Sequence, residues 1–201
     1  AIEVVQRYLD PEMLLEALAD ITDAEGVPTE LICLSALVED AIQDANSLLY
    51  ERNSQAKLQR FMGTTIVGLV PVKEDYMLWF HVGDSRIYRC RDAALKQLTS
   101  DHSAHTQWER SDRQGAEPAK NIITRAIGPN KITAADIDWG NWQKDDIYIL
   151  CSDGLSDMLT DDQILQIINA HKDVDQIATQ LIDAANKAGG KDNVSVVVCR
   201  V

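Results

Sequence analysis

Apolar residues recur with a helical period through the first quarter of the chain and with the period of strands afterwards. Ile2, Val5 and Leu9 fall on one helix face, but nothing precedes them that could serve as an N-cap and the sequence opens at Ala1 without an initiator Met. They are expected to start inside a helix of a longer parent chain. Asp10-Pro11 then opens a second helix, with Asp as N-cap, Pro at the first helical position, and Met13, Leu14, Ala17 and Leu18 as its apolar face. Gly26 and Pro28 mark a loop. From Thr29, the apolar positions Leu34, Val38, Ala41, Ala45 and Leu48 predict a long amphipathic helix ending near Tyr50, with polar residues 51–60 leading out of it.

Residues 64–70 are β-branched and apolar, and Lys73-Glu74-Asp75 turns them into a second such run at 76–82, which predicts a hairpin. Residues 87–90 and 95–98 predict another, with Arg91-Asp92 at its turn. Residues 101–121 are polar and aperiodic, as a surface loop or short helices would be, and 147–151 reads as a buried strand. Thr160-Asp161-Asp162-Gln163 is a capping box opening a helix with Ile164, Leu165, Ile167 and Ile168 on its apolar side. Residues 174–188 form another helix closed by Gly189-Gly190, and 194–198 a last strand. This order predicts an α+β fold, antiparallel sheets packed under helices, in one domain over residues 1–201.

Composition adds two restrictions. The 201 residues carry a net charge of −13, a poor electrostatic match for nucleic acid or an anionic membrane. A phosphorylated substrate would meet the same repulsion unless bound cations reverse the local field. Cys33, Cys90, Cys151 and Cys199 are scattered through apolar stretches with no C-x-x-C pair, so they are expected to be buried free thiols of a reducing, cytoplasmic compartment. No apolar run approaches the ~18 residues that cross a membrane.

Candidate chemistry gathers at strand ends. The strand at 147–151 runs into Ser152-Asp153-Gly154, where Gly154 lets the backbone turn sharply and approach a ligand, leaving Asp153 at the sheet edge. Lys191-Asp192-Asn193 precedes the last strand in the same manner. Two carboxylates so placed could share a hard cation such as Mg²⁺ or Mn²⁺, or each could simply cap a turn. In His81-Val82-Gly83-Asp84-Ser85-Arg86, a pair between Asp84 and Arg86 would hold the turn; Arg86 could instead bind phosphate. Asp101 could reach a cation, and His102 could be acid, base, ligand or a partly buried turn residue. His81, His105 and His171 lack ligand-like spacing and are expected to be structural or solvated.

Six ordered segments carry a family resemblance: Met62-Gly63-Thr64-Thr65, Val82-Gly83-Asp84-Ser85-Arg86, Leu98-Thr99-Ser100-Asp101-His102-Ser103, Asn121-Ile122-Ile123-Thr124-Arg125-Ala126-Ile127-Gly128, Cys151-Ser152-Asp153-Gly154-Leu155-Ser156-Asp157 and Gly190-Lys191-Asp192-Asn193. Over residues 62–201 the chain resembles the protein phosphatase 2C family, metal-dependent serine/threonine protein phosphatases, in their compact bacterial style. The resemblance implies a β-sandwich of two antiparallel sheets flanked by helix pairs. It implies hydrolysis of phosphoserine and phosphothreonine by a metal-activated water, with two or three Mn²⁺ or Mg²⁺ ions. Asp153 and Asp192 match the ligands of the first metal, Asp101 a ligand of a third that Asp153 helps to hold, and residues 104–121 a mobile flap.

The family's amino-terminal strands, with a phosphate-gripping Arg, an acidic ligand and an Asp-Gly-x-Gly-Gly segment whose Asp bridges two metals, have no match in residues 1–61. The resemblance therefore implies little or no turnover by residues 1–201 alone, with the catalytic Arg and bridging Asp lying outside them. Rival readings are a phosphatase-like domain that binds a partner without hydrolysis, and a metal-binding regulatory module that contacts a kinase. Expected partners are phosphoproteins, including a serine/threonine kinase or its targets, met by a monomer.

Overall fold

The computed structural model describes residues 1–10, 14, 28–56, 61–73 and 75–201. The helices are α1 (Ile2–Tyr8), α2 (Thr29–Ala56), α3 (Ala104–Arg110), α4 (Asp153–Ser156), α5 (Asp161–Ala170) and α6 (Val174–Lys187). The strands are β1 (Ile66–Val72), β2 (Tyr76–Val82), β3 (Arg86–Arg91), β4 (Ala94–Gln97), β5 (Asp136–Asn141), β6 (Ile147–Cys151) and β7 (Val196–Arg200). They form two antiparallel sheets, β1-β2-β5 and β4-β3-β6-β7.

Each sheet is covered by its own helices. Leu31, Leu34, Val38, Ala41, Ile42 and Ala45 recur at the spacing of one helix face, and α2 buries that stripe with Val5 of α1 against Leu78, Phe80 and Val82 of β2. Ile164 and Ile168 of α5 and Ile177, Leu181 and Ala185 of α6 pack on Tyr88, Ile147, Ile149 and Cys151. Met77 and Trp79, on the other face of β2, and Ile87, on the other face of β3, are buried as well. That is the αββα sandwich expected from the resemblance, with helix pairs outside.

Several boundaries moved, each for a visible reason. α2 runs past Tyr50 to Ala56 because Asn53 is buried on its inner face. Its amide donates to Met62 O (2.8 Å) and Gly128 O (3.0 Å), and its Oδ1 accepts from Met62 N (2.8 Å). Two turns earlier, Asn46 Oδ1 accepts from Gly128 N at 2.7 Å, so the helix holds a neighbouring loop through buried amides. The second hairpin turns at Asp92-Ala93, with φ of 50° and 56° and Arg91 facing Ala94, the left-handed pair a two-residue hairpin loop needs. β5 was not anticipated: two Asp, Gly and Asn in six residues are poor strand formers, and pairing with β2 sets its conformation. The capping box at Thr160 is present, with Thr160 N donating to Gln163 Oε1 (2.9 Å) and Gln163 N to Thr160 Oγ1 (3.3 Å). Of the helix expected from Asp10, Leu14 N bonds Asp10 O at 2.9 Å; the rest of it and the loop at Gly26 lie outside the described residues. Among the described residues no helix is long and apolar enough to cross a membrane.

Candidate active site

Antiparallel pairing decides which side chains meet. Cys151 faces both Val196 and Arg86, so the end of β6 lies between the starts of β7 and β3. Asp153 follows β6 by two residues, Asp192 precedes β7, and Asp84 precedes β3. Three aspartates distant in sequence therefore arrive at one end of one sheet.

The loops are locked there by close backbone packing. A Cβ on Gly154 would sit 2.3 Å from Asn193 O, so the glycine lets the 192–193 segment press against the start of α4. The close approach that Gly154 permits is to the protein's own backbone rather than to a ligand. Ser152 N donates to Ser195 O (3.1 Å), Ser152 Oγ to Asn193 O (3.2 Å), and Ser195 N returns to Ser152 Oγ (3.1 Å). Gly83, at φ 112°, shapes the turn that presents Asp84, and Thr65 and Ser85 hydroxyls bond across it at 2.9 Å.

The electrostatics of this end are those of uncompensated negative charge. Asp84 is 8% exposed, and burial, followed by repulsion from Asp153, pushes its carboxyl up to about 6. Burial and then Asp192 raise that of Asp153. All-oxygen donors pressed together suit a hard divalent ion, whose charge would relieve both penalties. The residues present thus fit the metal that the family resemblance implies.

Arg86 does not pair with Asp84, as the turn alone had suggested. It forks onto Asp101, Nε to Oδ1 at 3.0 Å and Nη2 to Oδ2 at 2.7 Å, while Nη1 donates to Tyr88 Oη at 2.9 Å. Gln97 Nε2 adds a bond to Asp101 Oδ1 at 3.0 Å. Nor does Arg86 offer a free guanidinium to a phosphate.

Two cavities meet at Asp84 and Asp153. One of about 240 Å³ lies under α3 and the following loop, walled by Asp84, Asp101, Asp153, Asp157, His105 and Lys120. The other, about 910 Å³, contains Asp84, Asp153 and Asp192 and opens between residues 61–65 and 123–129. Asp153 therefore stands between Asp101 on one side and Asp192 on the other.

Residues 5–196 match the family described as Protein phosphatase 2C, a longer stretch than the motifs at 62–201 suggested. The chain belongs to the protein phosphatase 2C family. The class of reaction is thereby metal-dependent hydrolysis of phosphoserine and phosphothreonine on proteins. The chain is 30% identical over 186 residues to the serine/threonine phosphatase stp of Listeria monocytogenes, covering 89% of this chain and 73% of that one. The Mycobacterium tuberculosis serine/threonine phosphatase PstP/Ppp superposes with a TM-score of 0.74 at 30% identity, over 99% of this chain and 82% of the other. A PstP catalytic domain solved in complex with two manganese ions gives 0.72 at 31% identity, over 98% and 80%.

In this phosphatase 2C chain a second polar cluster, unforeseen in the sequence, lies behind the Asp84 turn. The His81 and His102 rings stack with centroids 4.4 Å apart, and His102 Nε2 lies 3.1 Å from Asp136 Oδ2. Arg125 contacts both Asp136 and His102. Two histidines and a carboxylate in reach of one another resemble a metal-ligand set. Hydrogen bonding argues otherwise. His102 Nδ1 accepts from Gly83 N at 3.0 Å, so its proton sits on Nε2, facing Asp136, and no lone pair is left for a metal. Burial depresses the His102 pKa, with His81 and Arg125 acting in the same direction against Asp136. His102 N also donates to Gly83 O at 2.9 Å, so His102 clamps both polar groups of the residue preceding Asp84, one with its ring and one with its backbone amide. It is a positioning residue for the site.

Proposed function

We propose that Asp153 and Asp192 hold a divalent cation, Mn²⁺ or Mg²⁺, at the end of β6 and β7, and that a phosphoserine or phosphothreonine protein is hydrolysed there. The observation that carries this reading is the convergence of Asp84, Asp153 and Asp192 on one cleft with raised carboxyl pKa values for Asp84 and Asp153. The cation, when bound, lowers the pKa of a coordinated water and neutralises charge on the phosphoryl oxygens. The chain's own part is to present the carboxylates rigidly, through the Gly154–Asn193 contact and the His102 clamp on Gly83. Asp101 is assigned to a third ion, for which its carboxylate must first exchange Arg86 for the metal. Phosphoproteins of a kinase-dependent signalling system in the cytoplasm are the substrates we assign, and the acidic chain is taken to act as a monomer away from nucleic acid and membranes.

Among the described residues, Arg86 and Lys120 are the only lysine or arginine side chains lining either cavity, and Arg86 is committed to Asp101. Turnover by these 201 residues should accordingly be slow. The test is phosphate release from a phosphothreonine peptide with Mn²⁺. Release should vanish with a chelator and fall about 100-fold or more in Asp153→Asn. Release that ignores either change would overturn the proposal, and so would Mn²⁺ binding that Asp153→Asn leaves unchanged.

A further inference from the structure

A contiguous patch of large apolar side chains left in water marks a contact surface more often than the same residues scattered singly. Phe61, Met62 and Ile123 are 57%, 42% and 41% exposed. All three line the cleft that holds Asp153 and Asp192, where Ala126 and Pro129 extend the apolar lip. The lip is built rather than loose. Asn53, 1% exposed, spends both ends of its amide on the Met62 backbone and reaches Gly128 as well. Thr64 and Ile127 exchange backbone hydrogen bonds at 3.0 and 2.9 Å, and Ile123 is bridged to Ser103. A fold that commits a buried amide to hold an exposed methionine has fixed the shelf before anything arrives, and preorganisation of this kind lowers the cost of binding.

The occupant follows from what lies beside the shelf. Its floor continues into the aspartates assigned above to the cation, so whatever sits on it must carry an anionic group at one end and an apolar one close by. We propose that the shelf takes a bulky aliphatic side chain adjacent to the phosphorylated residue, so that the enzyme selects phosphopeptides with an apolar flank. This rests on the catalytic reading only for the placement of the phosphate. Polar or glycine neighbours would leave Phe61 and Ile123 facing water, whereas leucine would cover them.

The test uses fluorescein-labelled peptides in which a non-hydrolysable phosphonate replaces the phosphate, flanked on both sides by Leu or by Gly, with fluorescence anisotropy in Mn²⁺. The Leu-flanked peptide should bind about tenfold more tightly, the scale on which apolar pockets discriminate by a methylene or more. In Phe61→Ser/Ile123→Ser the difference should shrink to about twofold or less, since only area on the shelf has been removed. Both side chains are exposed, so the fold should survive, and an unchanged Mn²⁺ titration checks it; Met62→Ser gives an intermediate loss if the double variant is impaired. Equal affinities in the wild type, or a preference that persists in the variants, would overturn the proposal. Mn²⁺ affinity of Asp153→Asn scores the catalytic reading separately: preference with an unchanged Mn²⁺ affinity in that variant leaves the shelf and removes the metal site, and a lost Mn²⁺ affinity without preference does the reverse.

Discussion

Gly154→Ala should damage metal binding without touching a carboxylate. The added Cβ would lie 2.3 Å from Asn193 O and 2.9 Å from Asn193 C, where ordinary contact begins at 3.4 Å. The two backbones must separate by about 1 Å (3.4 − 2.3), and neither yields easily, because the Ser152, Asn193 and Ser195 hydrogen bonds tie them together. Overpacking of this kind costs about 2 kcal/mol, or about 5 °C in melting temperature for a domain of this size. The larger effect falls on the site, since Asp192 moves with Asn193 while Asp153 stays with β6. Metal–ligand distances tolerate only about 0.2 Å, and a displacement of about 1 Å at a site costs on the order of 100-fold. Calorimetric titration with Mn²⁺ alongside a thermal melt measures both. An alanine variant that binds Mn²⁺ within about threefold of wild type would refute the argument that this glycine brings the two aspartates together.

Other consequences can be checked with simple variants. Asn53→Ala leaves the Met62 and Gly128 backbone groups without their partner in a buried setting, and should cost about 3 kcal/mol in urea unfolding. Asp84 binds its proton near 6 when folded but near the ordinary carboxylate value when unfolded, so in the metal-free protein it contributes a slope by which stability falls as pH rises from about 5 to 7, opposed in part of the same window by His102, whose pKa burial depresses. Asp84→Asn should raise stability at pH 7 and flatten that slope, and thermal melts across the range with a chelator present would show it. Burial pushes the Cys151 thiol up to about 12, so in the native protein it should react with a thiol reagent far more slowly than after unfolding.

Periodic elements were legible in the sequence because one local rule governs each. The α2 stripe, the capping box at Thr160 and the two hairpins depend on neighbours within a few residues. What escaped depends on distant partners. β5 takes its conformation from β2, and α2 gains its last turns from an asparagine whose partners lie up to 75 residues away. The site divides in the same way. Asp153 and Asp192 stood out as candidates because an aspartate beside a predicted strand end is a local sign, and Asp84 carries that sign too; the fold brings all three to one cleft. It was paired with Arg86 because the two are close in sequence, whereas the sheet sends Arg86 to Asp101, 15 residues on. His102 was noticed as chemistry, but its role as a clamp on Gly83 exists only once the turn and the loop meet.

Mn²⁺ binding tests the metal centre assigned to Asp153 and Asp192 without reliance on turnover. Titration of the wild type, Asp153→Asn and Asp192→Asn by calorimetry should show saturable binding in the first and a loss of about 100-fold in each variant. Removal of one charge also relieves the repulsion that raises the Asp153 pKa, so the metal-free Asp192→Asn protein should melt no lower than wild type at pH 7. Variants that bind Mn²⁺ as tightly as the wild type would contradict the account.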